Sequence, residues 1–243
     1  MGFRTDAGRR RTGNEDALLV LPRYDIYLVA DGVGGHNSGE LASRKAVYGV
    51  EAFLERNPLE AAHRAEHPAA ALMEYFLRCF REVNAEICAL SLTNPENRGM
   101  ATTAVLAHVL QGKLFVVNVG DSRAYIVRAE EISRITVDHS VVNDMVERGE
   151  LTEEQARVHP RRNEITRALG AEISVTPDFF ITDLLAGDRI VLCTDGLCGE
   201  LSDDDIRRIV SRGENLNDTC RMLVNGANAN GGSDNITVVC VEI

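Results

Sequence analysis

Two apolar runs in this chain end alike: residues 26–30 lead into Asp31 and Gly32 in "IYLVADGVGG", and residues 189–193 into Asp195 and Gly196 in "RIVLCTDGL". Short apolar runs rich in Val, Ile and Leu, bounded by turn residues, predict buried strands. An acidic side chain beside glycine at the tip of such a strand puts a carboxylate at the margin of the core. Asp121, after "VVNVG", and Asp234, just before "ITVVCVEI", repeat the setting. Singly, each Asp-Gly or Gly-Asp is ordinary turn chemistry. If the strand ends converge, however, each like-charged pair at ~4 Å costs about 4 kcal/mol at an effective dielectric near 20. A cation makes such a cluster tolerable, and a donor set made only of oxygens suits Mg²⁺ or Mn²⁺. The spacing permits convergence without requiring it.

The rest of the pattern predicts strands grouped with strands and helices with helices. Residues 2–31 carry the strands "DALLVL" and "YDIYLVA", with a turn at Pro22-Arg23. A helix is expected over about 39–55, with Leu41, Ala42, Ala46, Val50, Phe53 and Leu54 inward, followed by a loose connection over residues 57–70. Leu72, Phe76, Phe80, Val83, Ile87 and Leu90 then recur at helical spacing, which marks a core-facing stripe. Residues 101–137 alternate as strands with a turn at Gln111-Gly112, and residues 138–171 turn helical. Within the latter, Thr152 and Gln155 form a capping box, and Pro160 stops the helix. Ser202 and Asn217 are expected to cap two further helices, and "NGANANGGSDN" to form a loop before the last strand. The predicted class is α+β with a mostly antiparallel sheet rather than alternating βαβ units.

At 243 residues, 44% hydrophobic, the chain can bury the core of a single domain. Its formal net charge of -11 argues against nucleic-acid binding, despite the local basic run at residues 9–11. No apolar span is long enough to cross a membrane, and neither a secretory signal nor a myristoylation pattern opens the chain. The six cysteines form no CxxC pair and read as reduced core residues, which predicts a cytoplasmic protein. The stretch "RTGNED" adds Arg11, a planar fork suited to phosphate oxygens, and the acids Glu15 and Asp16, although a polar turn into a hairpin has the same composition.

Together, "TDAGRRRTGNED", "VADGVGGHNSGELAS", "ATTAV", "NVGDSRAY", "LCTDGL" and "GGSDNITVV" resemble, in order, the metal-dependent serine/threonine phosphatases of type 2C in their compact bacterial form. The resemblance implies a four-layer αββα sandwich: two antiparallel sheets flanked by antiparallel helix pairs. It implies two tightly bound Mn²⁺ or Mg²⁺ ions with a weaker third. Asp31 would bridge the two, Gly32 would lend its carbonyl, and Asp195 and Asp234 would complete the protein ligands. Glu15 and Asp16 would act through waters, Asp121 would hold the third ion, and Arg11 would grip the substrate phosphate. The implied reaction is direct attack of a metal-bridging hydroxide on phosphoserine or phosphothreonine. No C-x5-R loop or P-loop competes with that chemistry.

One departure matters, because Val33 stands where animal members carry a histidine proposed to protonate the leaving group. His36 is the nearest substitute, with a metal-bound water as the alternative. Residues 139–169 match the family's variable flap, where Arg161 and Arg162 are candidate substrate contacts beside Arg157 and Arg167. The expected partners are phosphorylated proteins, including a bacterial Ser/Thr kinase and its substrates, and the expected state is a monomer. Two other readings stay open: an inactive phosphoprotein-binding regulator of the same fold, and a metal phosphohydrolase of small molecules.

Overall fold

The computed structural model describes residues 1–34 and 38–243. Its first half runs β1 (Gly2–Asp6), β2 (Asp16–Leu21), β3 (Ile26–Val33), α1 (Ser38–Arg56), α2 (Glu60–His63), α3 (Pro68–Thr93), β4 (Ala101–Thr102), β5 (Ala104–Leu110) and β6 (Lys113–Val119). Then come β7 (Arg123–Arg128), β8 (Glu131–Arg134), α4 (Val141–Glu147), α5 (Glu153–Arg157), β9 (Asp178–Asp183), β10 (Arg189–Cys193), α6 (Asp195–Cys198), α7 (Asp203–Arg212), α8 (Leu216–Asn230) and β11 (Ile236–Glu242). One sheet has the order β1-β11-β10-β7-β8 and the other β2-β3-β5-β6-β9, with β4 joined to β3. Neighbouring strands are antiparallel throughout.

The period-2 alternation of the strands builds the layers. In β3, Ile26, Leu28 and Ala30 pack with Phe53 of α1 and Phe76 and Phe80 of α3. The intervening Tyr27 and Val29 face the other sheet, joining Val105, Ile190, Leu192 and Val239. On the far side, Val191, Cys193, Val238 and Cys240 pack against Ile206 and Val210 of α7 and Leu223 and Val224 of α8. Three apolar layers thus separate four structural ones, in the order helices, sheet, sheet, helices. Asp31 has the parity of Tyr27 and Val29, so its side chain falls at the end of the layer between the sheets.

Several expectations change. β1 and β9 were not foreseen, because each is an edge strand with little continuous burial in "GFRTD" and "DFFITD". The connection over 57–70 contains α2, anchored by the buried Leu59. Residues 138–171 hold only the short helices α4 and α5, although the Thr152–Gln155 capping box is present. Asn215, not Asn217, caps α8, since its side chain accepts from the amides of Asn217 and Asp218. That helix continues to Asn230, because Leu223, Val224 and Ala227 extend its buried face through the Asn-rich stretch. All six cysteines are free and buried.

One histidine pair, with His108 buried and His63 half-buried, makes the fold sensitive to pH. His108 of β5 has Nε2 3.1 Å from Nε2 of His63 and Nδ1 3.3 Å from the Asp25 carbonyl oxygen. Burial, with His63 adding to it, pushes the His108 pKa down to about 4. The unfolded chain therefore takes this proton first, at its ordinary value near 6.5. Stability is complete above that value and falls by about 3 kcal/mol as pH drops to the folded pKa. Urea unfolding near pH 7.5 and near pH 5 should show the native chain losing about 2 kcal/mol more than His108→Leu. Equal losses would contradict this.

Candidate active site

Asp31 is fixed by its backbone. Its amide donates to Thr103 Oγ1 at 3.0 Å, and its carbonyl accepts from the Thr103 amide and from Thr102 Oγ1, both at 2.8 Å. The strand does not stop at Asp31, as the sequence pattern suggested. Gly32 and Val33 continue it, paired with Thr102 and Ala101 of β4. A Cβ on Gly32 would lie 2.0 Å from the Gly39 carbonyl oxygen and 2.7 Å from that of Glu15. Only glycine lets strand end, helix start and residue 15 meet backbone to backbone.

Directly across the ladder from Asp31 is Asp16. Asp16 Oδ2 accepts from Thr194 Oγ1 at 2.9 Å, and the same hydroxyl accepts from the Thr237 amide at 3.0 Å. Thr194 therefore ties the two sheets together at this end of the sandwich. Asp195 follows it as the first residue of α6, not as the tip of a strand; β10 ends at Cys193. Asp121 is buried in the turn between β6 and β7.

These acids share one electrostatic environment. Burial lifts the Asp16 carboxyl to about 7 against hydrogen bonds from Thr237 and Thr194. Burial, then the charges of Asp16, Asp195 and Asp121, hold Asp31 well above the usual carboxylate range. Asp195 is raised by burial and Asp234, and Asp121 by burial and Asp195. Asp31 and Asp195 act on each other in opposite senses, Asp195 raising the Asp31 carboxyl and Asp31 lowering that of Asp195. Asp16 Oδ1 and Asp195 Oδ1 are buried with no hydrogen-bond partner among the described residues.

Orphaned anionic oxygens beside other buried acids fit a hard divalent cation. No three of these carboxylates, among the described residues, form a ready-made ligand cage. The fit is therefore to ions that keep much of their water shell, as Mg²⁺ does.

The rim is built from both ends of the chain. Arg11 is exposed, with Nη2 2.7 Å from Asp234 Oδ2. Asn235 holds this rim: its Oδ1 accepts from the Glu15 amide, and its Nδ2 donates to the carbonyls of Ala7 and Gly13. Glu15 lies near Arg11, Asp234 and Glu40, and burial raises its carboxyl. His36 lies outside the described residues.

The arginines of residues 139–169 divide. Arg161 pairs with Glu164 at 2.7 Å and lines neither cavity of the site. Arg162 and Arg157 line an open cavity of about 360 Å³ with Asp195 and Asp234. They also border a smaller one of about 140 Å³ whose walls include Asp121, Arg123 and Asp138. The residues that sequence reasoning missed are Thr194, Asn235, Thr102 and Thr103. All lie inside the quoted motifs, but neutral hydrogen-bonding side chains carry no signature of their own.

A family model described as protein phosphatase 2C matches residues 6–231. The chain belongs to the protein phosphatase 2C family. It is 37% identical to the serine/threonine phosphatase stp of Listeria monocytogenes, over 99% of this chain and 94% of that one. Among solved structures, serine/threonine phosphatase Stp1 from Staphylococcus aureus superposes with a TM-score of 0.91 at 34% identity, covering 99% of this chain and 93% of that one. The catalytic domain of the serine/threonine protein phosphatase PstP, in complex with two manganese ions, superposes with a TM-score of 0.84 at 31% identity, covering 99% and 96%. The four-layer architecture of this 2C-family chain is thus that of solved phosphatases.

The raised carboxyl pKa values set the sign of a pH effect. Protonation favours the metal-free fold below about pH 4, and that contribution is lost as pH climbs through the Asp16 value of about 7. A cation takes over where protons leave. Mn²⁺ should accordingly raise the melting temperature, relative to chelator, more near pH 8 than near pH 6. An equal shift at both values in scanning fluorimetry would contradict the linkage.

Proposed function

We propose that this serine/threonine protein phosphatase hydrolyses phosphoserine and phosphothreonine by direct attack of a water on phosphorus, opposing a bacterial Ser/Thr kinase. The observation that carries the reading is the buried acid cluster, with two orphaned oxygens, at the sandwich end beside Arg11. Two divalent ions, Mn²⁺ or Mg²⁺, supply when bound the acidity that makes water a nucleophile at neutral pH and the positive charge that the phosphoryl group needs.

The chain's own residues do the rest. Asp31, Asp195 and Asp234, with the Gly32 carbonyl, would hold the ions, Asp31 contributing to both. Glu15 and Asp16 would orient the surrounding waters, and Asp121 would hold a weaker third ion. Arg11 reaches over the rim and offers its fork to the phosphate oxygens, which reduces charge repulsion as the bond to the departing oxygen lengthens. Its contact with Asp234 keeps the guanidinium at the rim before substrate arrives. The proton for the departing serine or threonine oxygen comes from His36 or from water, since Val33 cannot supply one. Arg157 and Arg162 line the open cavity beside Asp195 and Asp234 and give an acidic protein a basic lip for a phosphorylated segment. The flap, residues 139–169, is in this reading a substrate-facing subdomain of a single-domain, monomeric cytoplasmic enzyme.

The test is Mn²⁺-dependent turnover of phosphothreonine peptides, set against nucleotides and sugar phosphates. Asp31→Asn and Asp195→Asn should each lower kcat by about 10³-fold or more, a loss of roughly 4 kcal/mol or more. Arg11→Ala should act mainly on KM, raising it on the order of tenfold. Undiminished hydrolysis by Asp195→Asn would overturn the metal assignment. Preference for the small phosphates would overturn the protein substrate.

A further inference from the structure

The turn that carries Asp121 is held by its neighbours and not through the Asp121 side chain: on one side Ser122 Oγ lies 2.7 Å from Thr103 Oγ1. Gly120 sits at φ +108°, a conformation that favours glycine, and a Cβ there would lie 2.5 Å from the Thr103 Cβ. Among the described residues, no other side chain hydrogen-bonds the Asp121 carboxylate. The turn is pinned from outside, by His139. The Gly120 amide donates to His139 Nδ1 at 3.0 Å, and the His139 amide donates to the Gly120 carbonyl at 3.0 Å. Asn118 Nδ2 adds a bond to the same carbonyl at 3.1 Å.

The accepting Nδ1 fixes the tautomer, so the proton is on Nε2, which donates to Asp178 Oδ2 at 3.1 Å. Asp178 is itself held by Arg167, whose Nη1 lies 2.7 Å from Oδ1. The His139 carbonyl accepts from the Thr166 amide at 2.8 Å. A continuous chain of bonds therefore runs from the end of the flap, through Arg167, Asp178 and His139, to the backbone next to Asp121. His139 is 4% exposed and touches neither cavity, so contact with substrate does not explain it.

We propose that His139 is a positioning residue that holds the Gly120–Asp121 turn so that Asp121 presents its carboxylate to the weakest-held cation, with Asp178 and Arg167 orienting the imidazole from the flap. The inference rests on the metal role given to Asp121 above. Partners of this kind, one bond behind a ligand, change metal affinity by about 10- to 100-fold when removed. Substrate and metal thereby become linked, because a phosphorylated segment pressing on the flap acts on the same chain of bonds.

The test is a titration with Mn²⁺ alone, read by the paramagnetic resonance of the free ion, with melting temperature measured on the same samples. Asp121→Asn should lose the weakest class of sites. His139→Gln keeps a polar group facing Asp178 but removes the acceptor for Gly120. It should weaken that class on the order of tenfold and leave the tighter sites intact. His139→Asn, whose side-chain oxygen reaches the Nδ1 position, should stay near the native value. Arg167→Gln, a substitution away from the core, should weaken the class in the same direction by a smaller factor. Loss of the weak class in Asp121→Asn, but native affinity in both His139→Gln and Arg167→Gln, would overturn the positioning role alone. Native binding by Asp121→Asn would overturn the metal role of Asp121, and this inference with it.

Discussion

Like charge gathered at the end of a hydrophobic layer is the constraint around which this molecule is arranged. Asp16 and Asp31 continue the face that Leu18, Val20, Tyr27 and Val29 line between the sheets. Water would screen them fully anywhere else on the surface; here the two sheets limit its access. The protein meets the cost partly with protons, in line with the raised carboxyl pKa values, and partly with the hydrogen bond from Thr194 to Asp16. Among the described residues, Asp16 Oδ1 and Asp195 Oδ1 are still left without partners. Such a site has excess affinity for positive charge, and a phosphatase of the 2C family uses that excess.

The geometry is long-range by construction. Asp16, Asp31, Asp121, Asp195 and Asp234 come from β2, β3, the β6–β7 turn, the start of α6 and the loop before β11. They meet only when both sheets have formed and stacked. Thr194 bridges the sheets, and Asn235 ties residues 7–15 to the far end of the chain. Local unfolding of either should loosen the acid cluster before the cores, because the cores are held by three separate apolar layers.

How much of this was legible in the sequence varied with the kind of signal. The α3 stripe, the capping box at Thr152 and the cap at Ser202 follow from periodicity and local hydrogen bonding, and each was readable directly. The edge strands β1 and β9 were not, since one-sided burial leaves short polar segments without a pattern. The acids stood out because a carboxylate beside an apolar run is conspicuous, yet their local structure was misjudged. Asp31 lies within a strand because its extension pairs with β4, some 70 residues away. Asp195 starts a helix after Thr194, whose hydroxyl is engaged by Asp16 and the Thr237 amide from distant parts of the chain. Arg161 and Arg162 are adjacent and indistinguishable in sequence; only the fold points one at Glu164 and lines the cavities with the other.

The central claim is that the carboxylates at this end of the sandwich hold divalent cations. Anomalous diffraction from Mn²⁺-soaked crystals, collected at the manganese absorption edge, tests it most directly. The account predicts two strong peaks beside Asp31, with Asp195 and Asp234 also in contact, and a weaker peak beside Asp121. Peaks elsewhere on the surface, with none beside Asp31 at saturating Mn²⁺, would contradict it.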